Sequence, residues 1–375
     1  MLGLWLRFAL WPFETADYLD YFDPWYDHIQ ANGGFWALAD IEANYTPPYL
    51  YALTVVATFL PSLPKLLAIK LIGISFDFVA ALLVYKIVHL RHPLGIAPLL
   101  AALLFLFAPT VLLNSAFWGQ ADIIYATGLL ACLYFLLRQR PVWAFIAFGL
   151  AVAVKLQAIF LLPLLLILLW RRQWVRWFHF LILPLVYLLS IVPAWVAGRP
   201  FTDLLTIYLQ QANTYQTLAR NIANLYQWLP NSLYDIFYPA GMIFALSGMV
   251  LFVLVVHKSG VLLTNGRLLQ IGLLSTLLMP YLLPKMHERY FFAADILSLI
   301  LVFYYPRLIT ILLLVMAASF FSYFPYLFEI IIVPLPTLAF LPLVAILTLL
   351  WHLLAEPIAI HFEQNRYFLD ENVTP

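Results

Sequence analysis

Apolar stretches long enough to cross about 30 Å of hydrocarbon recur along the whole chain, and this repetition fixes the fold class. They run approximately over 66–88, 94–113, 121–137, 142–170, 178–197, 236–256, 268–284, 290–304, 308–327 and 338–354. Inside a bilayer every backbone N–H and C=O must be satisfied within the protein, so each run reads as a helix. Residues 65% hydrophobic and 10% charged over 375 positions, with a mean hydropathy of +0.94, exceed what a soluble core can bury. The reading is an all-α, polytopic integral membrane protein of about 11–13 transmembrane helices. One domain over 1–375 is the simplest division, since no internal repeat or soluble segment stands out. Met1 to Pro12 gives a short first helix, and the 142–170 run is expected to break at Lys155. The stretch from Pro47 to Pro61 is short for a span and is expected at the interface or buried beside the loop that precedes it.

The connectors between these runs alternate in charge. Lys86 and Arg91, Arg138 and Arg140, Arg171, Arg172 and Arg176, Lys258 and Arg267, and Arg307 fall in one set, which contains no Asp or Glu. The other set holds the acids: a loop over 14–48 with Asp17, Asp20, Asp23, Asp27, Asp40 and Glu42, then Asp122, Asp203, Asp235 and Glu288. Cationic short loops stay in the cytoplasm, so the acidic set is expected on the extracytoplasmic face of a bacterial inner or plasma membrane. A formal net charge of +1 excludes a nucleic-acid partner, which needs a concentrated basic face. The single cysteine, Cys132, cannot form an intramolecular disulfide. No phosphate-binding glycine loop, dinucleotide fingerprint or zinc signature is present, and no cofactor is expected; Asp17, Asp20 and Asp23 could contribute oxygen ligands to a divalent metal. His89 and His92, though spaced i, i+3, sit in a basic connector without a carboxylate.

Four polar segments share the acidic side. They are the loop over 14–65 with its interfacial helices, 114–122 at the entry to an apolar helix, Lys155 to Gln157 inside an apolar run, and 284–290. A second long connector, 198–235, carries Arg199, Gln210, Gln211, Asn213, Gln216, Arg220, Asn221, Asn224, Tyr226, Gln227 and Trp228, a composition suited to sugar hydroxyls and faces or, equally, to a solvated loop with interfacial aromatics. Acids opposite cations suit transfer from a lipid-phosphate donor: a carboxylate takes the proton of an acceptor hydroxyl, and Lys155, Lys285, His287 and Arg289 neutralise the departing phosphate. Each residue also has a structural use. Glu288 is spaced to pair with Lys285 or Arg289, Lys70 lies two turns before the intramembrane Asp77, and Asp295 lies two turns after His287, where it would support the cations.

Thr15-Ala16-Asp17-Tyr18, Asn44-Tyr45-Thr46-Pro47-Pro48, Trp118-Gly119-Gln120-Ala121-Asp122 and Met286-His287-Glu288-Arg289-Tyr290 occur in the order and spacing of a known group. Together they resemble the GT-C glycosyltransferases that use polyprenyl-phosphate sugars, notably bacterial relatives of the GPI-anchor second mannosyltransferase and, more distantly, the dolichyl-phosphate-glucose glucosyltransferases. Ala16 stands where that group has glycine, and Asn44 where it has an acid. The resemblance implies a GT-C fold with a large extracytoplasmic first loop and inverting transfer from a polyprenyl-phosphate-hexose. It further implies Asp17 as catalytic base and His287 beside the donor phosphate. On this reading Arg289, Lys155 and Lys285 complete the phosphate site, and Trp118, Gln120, Asp122, Tyr45 and Glu288 shape the sugar or acceptor pocket. The hexose is expected to be mannose rather than glucose, and the acceptor an extracytoplasmic lipid-linked glycan, glycolipid or other envelope component. A lipid or solute transporter without glycosyl transfer is the alternative, though polar motifs confined to one side do not suit alternating access.

Overall fold

The structure, a computed structural model, describes residues 2–171, 174–212 and 215–371; Arg172 and Asn213 of the connectors above lie outside them. Its helices follow the apolar runs closely. After α1 (Leu2–Leu10) come a π-helical turn over Tyr18–Phe22, α2 (Asp23–Ala31), α3 (Pro47–Phe59) and α4 (Lys65–His89). Next are α5 (Ala97–Leu106) and α6 (Pro109–Leu112), a second π-helical turn over Leu113–Trp118, α7 (Asp122–Leu137), α8 (Pro141–Val154) and α9 (Leu162–Trp170). Then α10 (Ile182–Ala197), α11 (Phe201–Ala212), α12 (Tyr234–Lys258), α13 (Asn265–Leu282) and α14 (Phe292–Tyr304) lead to α15 (Ile309–Leu327), α16 (Leu335–Leu338) and α17 (Phe340–Glu371). Among the described residues five helices are long and apolar enough to span a bilayer. The pair α5 and α6 with its following turn, bent by 46°, makes a sixth, and four shorter apolar helices accompany them.

Local chemistry sets the boundaries. Proline occupies the first turn of α3, α5, α8 and α9, where its missing N–H costs nothing and its fixed φ favours the helix. At Lys155 the backbone turns extended (φ −149°, ψ 135°), which ends α8 and divides the 142–170 run as the sequence suggests. The main core packs α4, α5, α7, α8, α13 and α14 around Phe105, Phe145, Phe148 and Phe292. A second core lies under the 14–65 segment, where Phe22, Trp25, Tyr45 and Tyr49 meet at ring separations of 5.1 to 5.9 Å. Each such pair contributes about 0.5–1.5 kcal/mol beyond area burial, so this segment is a packed layer. Helix α3 belongs to that layer, with Tyr49, Leu50 and Leu53 buried.

The two sets of connectors gather at opposite ends. Arg171 Nη1 donates to His257 O at 3.1 Å, His92 Nε2 meets Phe303 O at 2.7 Å, and Tyr304 Oη donates to Ile87 O at 2.8 Å, joining cationic connectors. At the other end Thr15 Oγ1 donates to Trp118 O (3.2 Å), Thr46 Oγ1 to Val154 O (2.7 Å), and Gln211 to Asn44 O.

Candidate active site

The polar end is organised around Asp17, which leads into the first π-helical turn. Its Oδ2 accepts from Trp118 Nε1 at 2.8 Å and from Gln120 Nε2, while Oδ1 accepts from Tyr326 Oη at 2.7 Å. Two segments distant in sequence thus converge on one carboxylate. Trp118 and Gln120 reach it because the second π-helical turn closes at Gly119, whose φ of +81° is open to glycine and strained for other residues. Trp118 also stacks on Tyr326 with centroids 5.1 Å apart. Gln120 Oε1 in turn accepts from Tyr45 Oη at 3.0 Å, which fixes the direction of its amide.

Lys70 ties these pieces together from below. The residue is 1% exposed and its ammonium donates to Phe13 O and Phe117 O, both at 2.5 Å, so one side chain pins the segment leading to Asp17 against the turn carrying Trp118. Lys70 therefore does not pair with Asp77. That acid instead receives Arg7 Nε at 2.7 Å and Ser115 Oγ at 2.6 Å, all three residues being fully buried. A charge placed on α1, 70 positions away, supplies the partner that helical spacing within α4 had suggested for Lys70.

Beside Asp17 lies a second polar group. Asp122, fully buried at the start of α7, accepts from Lys155 Nζ at 2.6 Å and Asn114 Nδ2 at 3.0 Å and faces Arg289 Nε at 3.4 Å. Arg289 Nη1 also donates to Glu288 Oε1 at 2.9 Å, so Glu288 pairs with Arg289. Lys155 and Arg289 further lie over the rings of Tyr45 and Trp118, at 5.2 and 5.3 Å. Removing one partner of such a buried pair strands the other and costs about 3–5 kcal/mol. Burial disfavours the Arg289 charge, but Asp122, Glu288 and Asp17 hold its guanidinium well above its ordinary pKa. Burial raises the Glu288 carboxyl despite the adjacent Arg289. The His287 imidazole is driven down to about 2 by burial, then by Arg289, Arg220 and Lys155, so it is neutral at physiological pH. It offers a hydrogen bond and no charge.

A cavity of about 330 Å³ opens between these groups, lined by Asp17, Asp20, Tyr45, Lys155, Gln157, Gln211, Tyr215, Arg220, His287, Glu288, Arg289 and Tyr326 among others. The candidate residues divide on this surface. Asp17, Tyr45, Lys155, His287, Glu288 and Arg289 line it. Trp118, Gln120 and Asp122 stand behind it, their polar atoms committed to Asp17, Lys155 and Arg289. Lys285 turns away, with Nζ 5.0 Å from the Tyr238 ring, and borders a neighbouring cavity. Asp295 is buried on α14 beside Thr110 and Ser319, apart from the His287 group. Asp23 and Asp27 are held by Lys65 at 2.6 and 2.9 Å, which accounts for two acids of the loop.

The amide- and aromatic-rich connector has a structural use over 224–228. Asn224 Nδ2 donates to Pro280 O (3.1 Å) and Tyr226 Oη to Leu282 O (2.8 Å), which docks the loop on the end of α13, and Trp228 Nε1 donates to Pro336 O (3.0 Å) of α16. Only its earlier part, with Gln211, Tyr215 and Arg220, reaches the cavity. Residues Ala219–Arg220 (β1) pair in parallel with Met286–His287 (β2), so Arg220 stands opposite His287. Sequence reading missed Arg220 and Tyr326 as site residues, because two-residue pairing and a contact spanning 309 positions leave no local pattern.

Two further cavities lie next to the polar one. A chamber of about 270 Å³ shares Tyr215, His287 and Tyr290 with it, and shares Met242 and Leu283 with an apolar groove of about 510 Å³. Leu162, Leu166 and Trp170 of α9 and Met242, Leu246, Met249 and Val253 of α12 line that groove.

Fold and site together define a polytopic membrane protein with a polar, cation-lined cavity at one end. The chain belongs to glycosyltransferase family 87, whose model matches residues 44–301, a span that includes every candidate segment except the one carrying Asp17. Among solved structures it is similar to ArnT from Cupriavidus metallidurans bound to undecaprenyl phosphate, with a TM-score of 0.57 at 14% identity over 95% of this chain and 76% of that one. No curated protein matches.

Proposed function

We propose that this glycosyltransferase moves a hexose, mannose in preference to glucose, from a polyprenyl-phosphate donor to an acceptor hydroxyl on the extracytoplasmic face. The observation that carries this reading is the carboxylate of Asp17, held at the edge of a cation-lined cavity that is followed, across a chamber sharing walls with both, by an apolar groove. A donor with a charged head and a hydrocarbon chain matches that sequence of surfaces. The ArnT structure, which holds undecaprenyl phosphate on a similar fold, supports the same donor class.

The chemistry follows from the hydrogen bonds. Oδ2 of Asp17 already accepts two donors, whereas Oδ1 accepts only Tyr326, leaving a lone pair for an acceptor hydroxyl. In a direct displacement the acceptor oxygen bonds to the anomeric carbon as the carbon–phosphate-oxygen bond breaks. The hydroxyl proton passes to Asp17 Oδ1, and the sugar carbon inverts. Polyprenyl phosphate leaves with its charge met by Lys155 and Arg289 and a hydrogen bond from neutral His287, so no general acid is required. An envelope glycan or glycolipid is the acceptor this open, polar cavity suits.

Asp17→Asn tests the role of the carboxylate. It preserves the shape and can still accept on one oxygen, so binding of undecaprenyl phosphate is expected to stay within about twofold of wild type. Transfer is expected to fall by about 100-fold or more, the usual contribution of a general base. Near-normal turnover by this variant removes Asp17 from the mechanism.

A further inference from the structure

The cations of the cavity are unequally available to a new anion. Lys155 and Arg289 are engaged by Asp122 and Glu288, two charges against two. Asp17 and Asp20 add further negative charge to the lining, and His287 adds none. Arg220 differs from all of these. Among the described residues its side chain makes no hydrogen bond and no ion pair within 4 Å, the Glu288 carboxylate acting on it only at longer range, and its Nη1 is buried without a partner. Its guanidinium lies 3.7 Å from the centroid of the Tyr215 ring, which orients the plane without using any N–H.

The backbone places Arg220 deliberately. In the parallel β1–β2 pair, Ala219 is matched to Met286 and Arg220 to His287, and Lys285 N donates to Leu218 O at 2.7 Å beside them. Successive residues of a strand face opposite ways. Ala219 and Met286 therefore pack against the main core while Arg220 and His287 both line the cavity. This short pairing is the means by which the 198–235 connector delivers a charge to the site.

We propose that Arg220 is the principal charge partner of the donor phosphate, a binding residue carried by the second polar connector and clasped to His287 by the β1–β2 pair. The inference rests on the lipid-phosphate reading above and assigns that anion to a residue outside the motif set. A guanidinium fork has the geometry to bind two phosphate oxygens at once, which the engaged Lys155 and Arg289 can do only by weakening their own ion pairs.

The test uses the purified full-length chain with two probes, undecaprenyl phosphate and the uncharged alcohol undecaprenol, with affinity measured by native mass spectrometry. Wild type is expected to prefer the phosphate. Arg220→Gln is expected to weaken phosphate binding by about tenfold or more, the loss of a charge-assisted contact, while undecaprenol binding is unchanged. Arg220→Lys, which keeps the charge and loses the fork, is expected to fall between the two. Phosphate binding by Arg220→Gln equal to wild type, or an equal loss for both probes, overturns the assignment. A wild type that does not distinguish phosphate from alcohol instead contradicts the lipid-phosphate reading itself.

Discussion

At the scale of single residues, the site depends on groups whose work lies behind the cavity wall. Lys70 is the clearest case, because its ammonium joins Phe13 O to Phe117 O and so couples the segment bearing Asp17 to the turn bearing Trp118 and Gln120. Lys70→Met keeps the length of the side chain and removes both bonds, leaving buried carbonyls without their donor at a cost of about 1–3 kcal/mol. A lower thermal unfolding midpoint together with reduced turnover is the expected result; unchanged stability and turnover would show that the clamp is dispensable. Lys155 stands out in the sequence because a charge interrupts an apolar run there, whereas Asp17, His287 and Arg289 stand out through the motifs that carry the family resemblance; all four line the one cavity. Sequence reading misassigned Lys70 and Asp77 because their partners, Phe117 O and Arg7, come from other helices, and only tertiary packing brings them together. His287 was read as a cation, yet its neighbours are themselves cations and the burial that suits a binding site also discharges it.

At the scale of elements, helix positions were legible and loop positions were not. The apolar runs and the break at Lys155 appear in the structure, since bilayer length and backbone satisfaction leave little freedom. The 198–235 connector was harder to read because its amides and aromatics serve docking over 224–228 and the cavity only further upstream. That docking relies on Gly241 of α12, where an added Cβ would lie 2.2 Å from Tyr226 Oη, the hydroxyl that donates to Leu282 O. Gly241→Ala is accordingly expected to displace Tyr226, to destabilise the protein by about 1–3 kcal/mol and to expose the connector to limited proteolysis. Cleavage kinetics identical to wild type would place the connector's anchorage elsewhere.

At the scale of the whole molecule, charge divides the protein into two ends. Cationic connectors meet around Arg171 and His92, and the acids, the cavity and the four motif segments meet at the other end. This asymmetry was legible from the alternation of charge alone, and it fits a site that meets its substrates on one face. The apolar groove was invisible in the sequence, because Leu162, Leu166, Met242 and Leu246 look like any residues of a membrane helix until α9 and α12 are placed side by side. The central claim is that this assembly transfers a sugar rather than carrying one across. Reconstitution of the purified protein in liposomes with labelled polyprenyl-phosphate mannose or glucose and an envelope lipid extract, followed by mass spectrometry, tests it directly. A hexosylated acceptor and released polyprenyl phosphate are expected, with mannose the better donor sugar; labelled lipid or sugar crossing the bilayer with no covalent product would show transport in place of transfer.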